Sequence, residues 1–452
     1  MSICFVVERL GKPSETFVRR DLVELARKGA DIIVYELGPP RPGDVEVPEE
    51  LEGAVFTSPG LFSLGTFFSK LRWLIFHPLR VCGILGIIPR ALLRPLGGTR
   101  ELFGANRAFR LASLVRKHRV ERIHCEFATM PATVGWVASR LARVPFSISV
   151  HAWDIFVYRT MLKAKLRAAD LVVACSECAA DYLSEKLGVP GGKIELVHHG
   201  LDLDEYSYVR HRPDPRPLRV LAVGRLVEKK GFRYLVEAVA LLRKRGIACE
   251  CIIIGDGPLE RKLVRLAEKR GVFKAVAFAG AADVEEVRDA MLEAHMLVAP
   301  SVKTRRGDSD GIPNVVLEAM ARGTAVIATD AGGLAEVVHD GETGIIVEQR
   351  SAEDLAAAIR RFAEEPALAD RLAAGGRKLV EREFDIRLTA GLLLDALSDA
   401  GGEVGGDDAD YDYAEEDRPL EDDDEEDDFD DGDDAEDAEA DGAEDGAEGR
   451  PG

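Results

Sequence analysis

Apolar positions along the chain fall into two successive series of short runs, each run separated from the next by a helical or turn-rich stretch. Ile3–Val7 is a continuous apolar run of strand length. After the loop Glu8–Thr16, residues Phe17, Leu22, Leu25 and Ala26 recur at helical spacing until Gly29 stops the helix Phe17–Lys28. Asp31–Leu37 is the next strand, so the chain opens as the β-loop-α-β unit of a doubly wound sheet. Further strands are expected at Arg122–Glu126, Pro145–Val150, Leu171–Ala174 and Ile194–Val197. Residues 40–60, rich in Pro, Gly and acids, read as a loop, and Arg210–Pro217, with three prolines, as a linker. A second series follows: Leu218–Gly224, a helix from Phe232, Cys249–Ile254, Val276–Gly280, Met296–Pro300, Ala325–Ala328 and Ile345–Val347, closed by two helices to about Ala400. The pattern predicts an α/β chain of two Rossmann-like, doubly wound parallel-sheet domains, residues 1–208 and 209–385. A terminal helix, 386–402, is expected to pack back on the first domain.

Charge changes this picture at two places. The net charge of −21 over 452 residues is carried by the end of the chain. From Glu403 to Gly452, 27 acids face only Arg418 and Arg450, which leaves the rest of the chain at +4. Residues 403–452 are expected to be a disordered acidic tail, because they repel one another and have almost nothing apolar to bury. Residues 61–100 are unusual in the other sense. They mix Phe62, Phe67, Phe68, Trp73 and Phe76 with Lys70, Arg72, Arg80, Arg90, Arg94 and Arg100. From Lys70 to Arg122 there are twelve Lys and Arg against Glu101 and Glu121. A basic, aromatic segment too short to span a bilayer points to a membrane-surface face. The competing reading is ordinary packing helices with snorkelling arginines. Nucleic acid fits less well, since no recognised binding module accompanies the charge. Seven scattered cysteines, an odd number in apolar segments, argue for a reducing compartment. Cys175 and Cys178 have zinc spacing but no second pair, so no metal site is expected. The N-terminus starts a strand at once, with no signal peptide. A cytoplasmic protein is expected, peripheral on the inner face of the membrane.

The candidate chemistry sits at strand ends. Asp308-Ser309-Asp310-Gly311-Ile312-Pro313-Asn314 runs from a tight loop into a helix that carries Glu318. Pro313 suits the first helical position, and the amides of Gly311 to Asn314 would carry the positive end of the helix dipole. Carboxylates at Asp310 and Glu318 would flank a site able to take an anion and hydroxyl groups together. An amphipathic helix with an acidic cap is the plainer alternative. Gly224-Arg225-Leu226-Val227-Glu228-Lys229-Lys230-Gly231 follows a strand, and its Arg and Lys make a diphosphate clamp plausible. Gly255-Asp256-Gly257-Pro258 ends another strand. In the first half, Ser14, Glu15 and Thr16 stand in the opening loop, and His151-Ala152-Trp153-Asp154 ends a strand.

With these motifs in order, the chain over residues 2–395 resembles the retaining glycosyltransferases of family 4, which have the GT-B fold of two domains facing a cleft. The first half, through Ser14-Glu15-Thr16-Phe17 and His151-Ala152-Trp153-Asp154, is similar to the branch that builds bacterial exopolysaccharides, including colanic-acid-type enzymes. The resemblance implies that Arg225 and Lys230 bind the donor diphosphate and that Glu318 holds the ribose hydroxyls. Gly224, Gly257, Gly311, Ile312, Pro313 and Asn314 would line the donor site, Asp310 would contact the donor sugar, and His151 would face that sugar across the cleft. Ser14, Glu15, Thr16 and Asp154 would stand on the acceptor side or in loops. Two departures matter. Asp310 replaces the family's usual Glu, which leaves the sugar open, and Lys12–Thr16 replaces its usual Gly-Gly loop.

The implied reaction passes a hexose from a UDP- or GDP-linked donor to a lipid-linked or polysaccharide acceptor. Cationic side chains and helix N-termini would stabilise the leaving diphosphate in place of a metal, with no cofactor beyond the donor. A nucleotide-sugar 2-epimerase of the same architecture and a non-catalytic scaffold remain as alternatives. A dinucleotide oxidoreductase is disfavoured, since neither opening strand is followed by G-x-G-x-x-G.

Overall fold

The structure is a computed structural model and describes residues 1–12, 15–60, 63–85, 104–209 and 217–400. Ser14, the residues from 86 to 100 of the basic segment, most of the linker at 210–217, and the acidic tail lie outside the described residues.

The first domain is a seven-stranded parallel sheet: β1 Ser2–Val7, β2 Asp31–Glu36, β3 Val55–Thr57, β4 Arg122–Glu126, β5 Phe146–Val150, β6 Leu171–Ala174 and β7 Ile194–Leu196. Its order is β3-β2-β1-β4-β5-β6-β7. The second domain repeats the plan with six strands: β8 Leu218–Val223, β9 Cys249–Ile254, β10 Val276–Gly280, β11 Met296–Ala299, β12 Ala325–Thr329 and β13 Ile345–Val347, in the order β10-β9-β8-β11-β12-β13. All pairings are parallel. Helices cover both faces, which is why β1, β4, β5, β6 and β12 are buried along nearly their whole length; β1 and β6 read as unbroken apolar runs, whereas β4 and β5 carry buried polar residues. Strand order reverses between β1 and β4 and again between β8 and β11. Ligands of open α/β sheets bind beyond the strand C-termini at such reversals.

Two expectations are corrected. The loop assigned to residues 40–60 contains β3 and a turn at Glu49–Leu51, because Val55-Phe56-Thr57 extends the sheet edge beside β2. The chain after β13 forms three helices, not two: Ala352–Glu364, Pro366–Glu383 and Ile386–Asp399. Pro366 opens the second after a break at Glu365, and the Asp385 side chain caps the third through the Arg387 N–H.

The chain crosses between the domains twice, and the crossings are bonded to each other. Leu201 N–H donates to the Phe384 carbonyl at 2.8 Å and Ile386 N–H donates to the Leu201 carbonyl at 2.9 Å. Leu201, Leu203 and Tyr206 pack into the second core, while Ala390, Leu393 and Leu397 of the last helix pack into the first. Gly200 sits where a Cβ would lie 2.3 Å from Thr389 Oγ1 and 2.5 Å from Ile386 Cα, so no larger residue fits the crossing.

The helix Leu64–Phe76 is turned inside out. It buries Thr66, Ser69 and Trp73. Trp73 Nε1 donates to Ser113 Oγ at 2.9 Å, which anchors the helix on the helix Ala108–His118. Its apolar side chains face out: Phe68 is 61% exposed, Phe76 69% and Leu79, in the next helix Pro78–Leu85, 86%. No helix among the described residues is long and apolar enough to cross a membrane.

Candidate active site

In the second domain, the loops after β8 and β11 converge at the strand-order reversal. The turn Glu228–Lys230 follows β8, and Ser301 follows β11. Gly231 adopts φ +61°, and a Cβ there would lie 1.9 Å from the Pro300 carbonyl oxygen. Only glycine allows the two loops to meet this closely. The closeness puts Lys230 Nζ 2.8 Å from Asp310 Oδ2, with Lys229 Nζ 3.6 Å from Oδ1 and the Ser301 hydroxyl donating to Oδ2 at 3.2 Å. Burial would raise the Asp310 carboxyl, but the two lysines outweigh it and hold it below the usual carboxylate range. Asp308 pairs with Lys229 at 3.0 Å. The Asp308-Ser309-Asp310 carboxylates therefore both face ammonium groups.

Arg225 is exposed and carries no side-chain partner among the described residues. Gly224 and Gly257 hold the neighbouring turns, where Leu226 N–H donates to the Asp256 carbonyl at 2.7 Å. Gly332, at φ +60°, backs the loop: a Cβ there would lie 2.0 Å from the Asp310 carbonyl oxygen. Gly311 has open space where a side chain would stand, and Ile312 packs against the second core. Pro313 is one position off its expected place. It is extended, at ψ 124°, and accepts the Val316 N–H at 3.0 Å, so the helix Asn314–Arg322 opens at Asn314. No side chain caps that helix.

Glu318 lies on the same helix. Burial pushes its carboxyl up, against the pull of Arg20, Tyr206 and Arg288. Arg288 lies 4.5 Å over the Tyr206 ring and pairs with Glu205. Arg20 comes from the first domain, and its Nε and Nη2 are buried without a hydrogen-bond partner. The domains also meet at Glu336, whose carboxylate accepts the N–H groups of Glu177 (2.8 Å) and Cys178 (2.9 Å).

In the first domain, His151 is 8% exposed. Its ring plane is parallel to that of His199, with centroids 5.2 Å apart, and it lies 4.1 Å from Phe127 and 5.2 Å from Phe17, centroid to centroid. Its Nε2 is 3.1 Å from His199 Nε2, and its Nδ1 is buried without a partner. His199 Nδ1 donates to Asp21 Oδ2 at 2.8 Å. Burial would lower His199, but Asp21 overrides it and lifts the ring to about 10. Burial, and then the neighbouring His199, push His151 down to about 3.

Asp154 is closed off from any ligand. It is fully buried, and its oxygens accept the N–H groups of His151 (2.6 Å) and Ala128. Fully buried Lys165 donates to the Ala128 carbonyl at 2.9 Å, so Asp154 and Lys165 pin the turn below His151. Burial raises the Asp154 carboxyl to about 7. Glu15 pairs with Lys12, and Thr16 opens the helix Thr16–Arg27. Sequence reasoning missed Arg20, Asp21, Glu126 and His199. The doublet His198-His199 at the end of β7 was the one signal for them.

Two family descriptions match the chain in order: Glycosyltransferase Family 4 over residues 14–205 and glycosyl transferases group 1 over residues 209–379. WcaL of Salmonella typhimurium, provisionally named a colanic acid biosynthesis glycosyltransferase, is 30% identical over 51% of this chain and 56% of its own. The amylovoran biosynthesis glycosyltransferase AmsK of Erwinia amylovora is 30% identical over 47% and 52%. The chain thus spans little more than half the length of these relatives. Among solved structures, the sucrose-phosphate synthase of Thermosynechococcus elongatus superposes with a TM-score of 0.66 at 22% identity, over 89% of this chain and 100% of that one. Anabaena Alr3699/HepE, solved with UDP and glucose, gives 0.61 at 20% identity, over 88% and 99%. At these identities the likeness speaks to the fold. Two sheets in this order give the chain GT-B architecture, and its two halves resemble in turn Glycosyltransferase Family 4 and glycosyl transferases group 1.

Proposed function

We propose that the chain transfers a sugar from a UDP- or GDP-linked donor to a lipid-linked or polysaccharide acceptor of the exopolysaccharide type, with retention of anomeric configuration. The observation that carries the reading is the cluster at the second-domain reversal, where Lys230, Lys229, Ser301 and Asp310 meet near Arg225, which is unpaired among the described residues, and a helix N-terminus with no side-chain cap. In this reading, Arg225, Lys230 and the first-turn amides of the helix Asn314–Arg322 take the charge that develops on the leaving diphosphate. Glu318 accepts the ribose hydroxyls, and Asp310 orients the sugar. The acceptor hydroxyl attacks from the face the diphosphate leaves, which retains configuration without an enzymic nucleophile. No cofactor enters.

A lipid-linked acceptor on a cytoplasmic membrane face is supported by the outward apolar side chains of Leu64–Phe76 beside exposed Arg72. The relatives that carry colanic acid and amylovoran in their names support the exopolysaccharide class.

The test is transfer itself. The full chain is incubated with radiolabelled UDP-glucose or GDP-mannose, with and without EDTA, together with a bacterial total-lipid extract or an exopolysaccharide fraction. Label entering one acceptor fraction, with a product whose anomeric coupling matches the donor's, supports the reading. Donor consumed with no labelled acceptor, or an inverted product, contradicts it.

A further inference from the structure

We infer that His199, held by Asp21, is a positioning residue that fixes the tautomer of His151 and leaves Nδ1–H as the one free donor of that ring. The inference rests on the reading above in one respect, that His151 belongs to the site. Its geometry stands apart from that reading.

The two Nε2 atoms are 3.1 Å apart, so a single proton lies between them. Its owner follows from the far side of His199. There Nδ1 is 2.8 Å from Asp21 Oδ2, a hydrogen bond that requires a proton on Nδ1, and Asp21 together with the Cys175 side chain favours the fully protonated ring over the neutral one. A doubly protonated His199 donates Nε2–H, and His151 must accept with its Nε2 lone pair. The remaining His151 proton is then on Nδ1, the buried nitrogen with no partner. A buried donor left unpaired calls for an explanation, as does Glu126 Oε2 beside it, which is buried without a hydrogen-bond partner too; for the donor, a substrate oxygen supplies one. The neutral ring also suits its neighbour: a transferred sugar that develops positive charge is better served by a neutral donor than by an imidazolium.

The surroundings hold the arrangement in place. Phe17 and Phe127 flank the His151 ring. Glu126 of β4 lies 4.0 Å from His151 Nε2, and His124, also on β4, is fixed between the Ser147 and Ser149 hydroxyls. His198 turns away to the Cys175 carbonyl. His199 itself precedes Gly200, whose lack of a side chain lets the turn press against Thr389 and Ile386 of the last helix. The ring that sets the tautomer is thus tied to the place where the chain crosses between domains.

The experiment is long-range proton–nitrogen NMR on the full chain labelled with nitrogen-15 histidine, between pH 5 and 9, with His151→Gln and His199→Gln used only for assignment. The expected result is a His151 ring protonated at Nδ1 and bare at Nε2 throughout, and a His199 ring protonated at both nitrogens at pH 7. A His151 ring protonated at Nε2, or titrating with an ordinary midpoint, overturns the inference, and no substrate is needed to see either. A second arm measures turnover of UDP-glucose or GDP-mannose. Asp21→Asn is expected to lower kcat roughly tenfold to a hundredfold, as loss of an outer orienting partner does, to leave the donor KM unchanged and to displace the pH profile. An equal loss in kcat with an unmoved pH profile contradicts the positioning role. If His151→Ala keeps full turnover, the placing of His151 in the site fails, while the spectra still decide the tautomer.

Discussion

Lys230 Nζ stands 2.8 Å from Asp310 Oδ2, across 80 residues of chain, and joins the loop after β8 to the loop before the helix Asn314–Arg322. Without a donor the cluster neutralises itself. In the proposed reading, a diphosphate held by Arg225 would compete with Asp310 for Lys230, so the pair that joins these loops is also the pair that donor binding would rearrange. The same carboxylate is largely buried, with 12% of its side chain exposed, so its dependence on Lys230 has a cost in stability as well as in activity.

Lys230→Met removes the nearer cation from that buried carboxylate. Breaking a buried pair costs about 3–5 kcal/mol, and Lys229 at 3.6 Å holds the loss to the low end. The expected outcome is a lower melting temperature near pH 7. The difference from the unmodified protein should shrink as pH falls below about 4, where an unperturbed Asp takes its proton. The sign follows from the depressed Asp310 carboxyl, whose contribution is present above the unfolded value and lost as pH falls through the folded one. Chemical denaturation at several pH values checks it. A pH-independent difference would contradict the assignment.

His199 makes the opposite prediction. Its folded value is raised to about 10 from an ordinary value near 6.5. Its contribution is complete below pH ~6.5 and is lost as pH rises toward 10. Replacing His199 by Gln should remove about 1–3 kcal/mol of stability at pH 6, the worth of a charge-assisted buried hydrogen bond, and much less at pH 10. Urea midpoints at the two pH values measure this.

The exposed apolar side chains of Leu64–Phe76 separate surface binding from folding. Phe67→Ser with Phe68→Ser should shift stability by no more than about 0.5 kcal/mol per site, as exposed substitutions do. The same pair should weaken binding to anionic vesicles by about tenfold or more, given the area each ring would bury. Vesicle co-sedimentation gives the answer, and unchanged binding would remove this helix from the membrane account.

Gly231→Ala should cost more than the roughly 1 kcal/mol of the helical glycine scale, because its Cβ would meet the Pro300 oxygen at 1.9 Å. Separating the β8 and β11 loops also moves Lys230. Loss of nucleotide affinity alongside stability is the expected outcome, read by thermal melting and calorimetry on one preparation.

Most strands were legible because buried parallel strands such as Ser2–Val7 and Leu171–Ala174 are short apolar-rich runs, and the two series of them gave the architecture. β3 was not, because Val55-Phe56-Thr57 is three residues long, half-exposed and set among acids and prolines. The Lys230 and Asp310 loops were legible as motifs, but their contact was not, since nothing local specifies a pairing 80 residues apart. Asp154, an acid three residues past a strand-end His, reads in the sequence as a site residue, whereas the fold spends both its oxygens on backbone N–H groups. The Asp21–His199 contact spans 178 residues and leaves no periodic trace.

The central claim is that the second-domain reversal binds a nucleotide diphosphate through Glu318 and the Lys230 loop. Calorimetric titration of UDP and GDP into the full chain and into Glu318→Ala, each with EDTA present, tests it most directly. Saturable binding of one of the two nucleotides to the unmodified chain, weakened at least about tenfold in Glu318→Ala in line with the loss of a charged hydrogen bond, is the predicted result. No binding of either nucleotide, or binding indifferent to Glu318, would contradict the account.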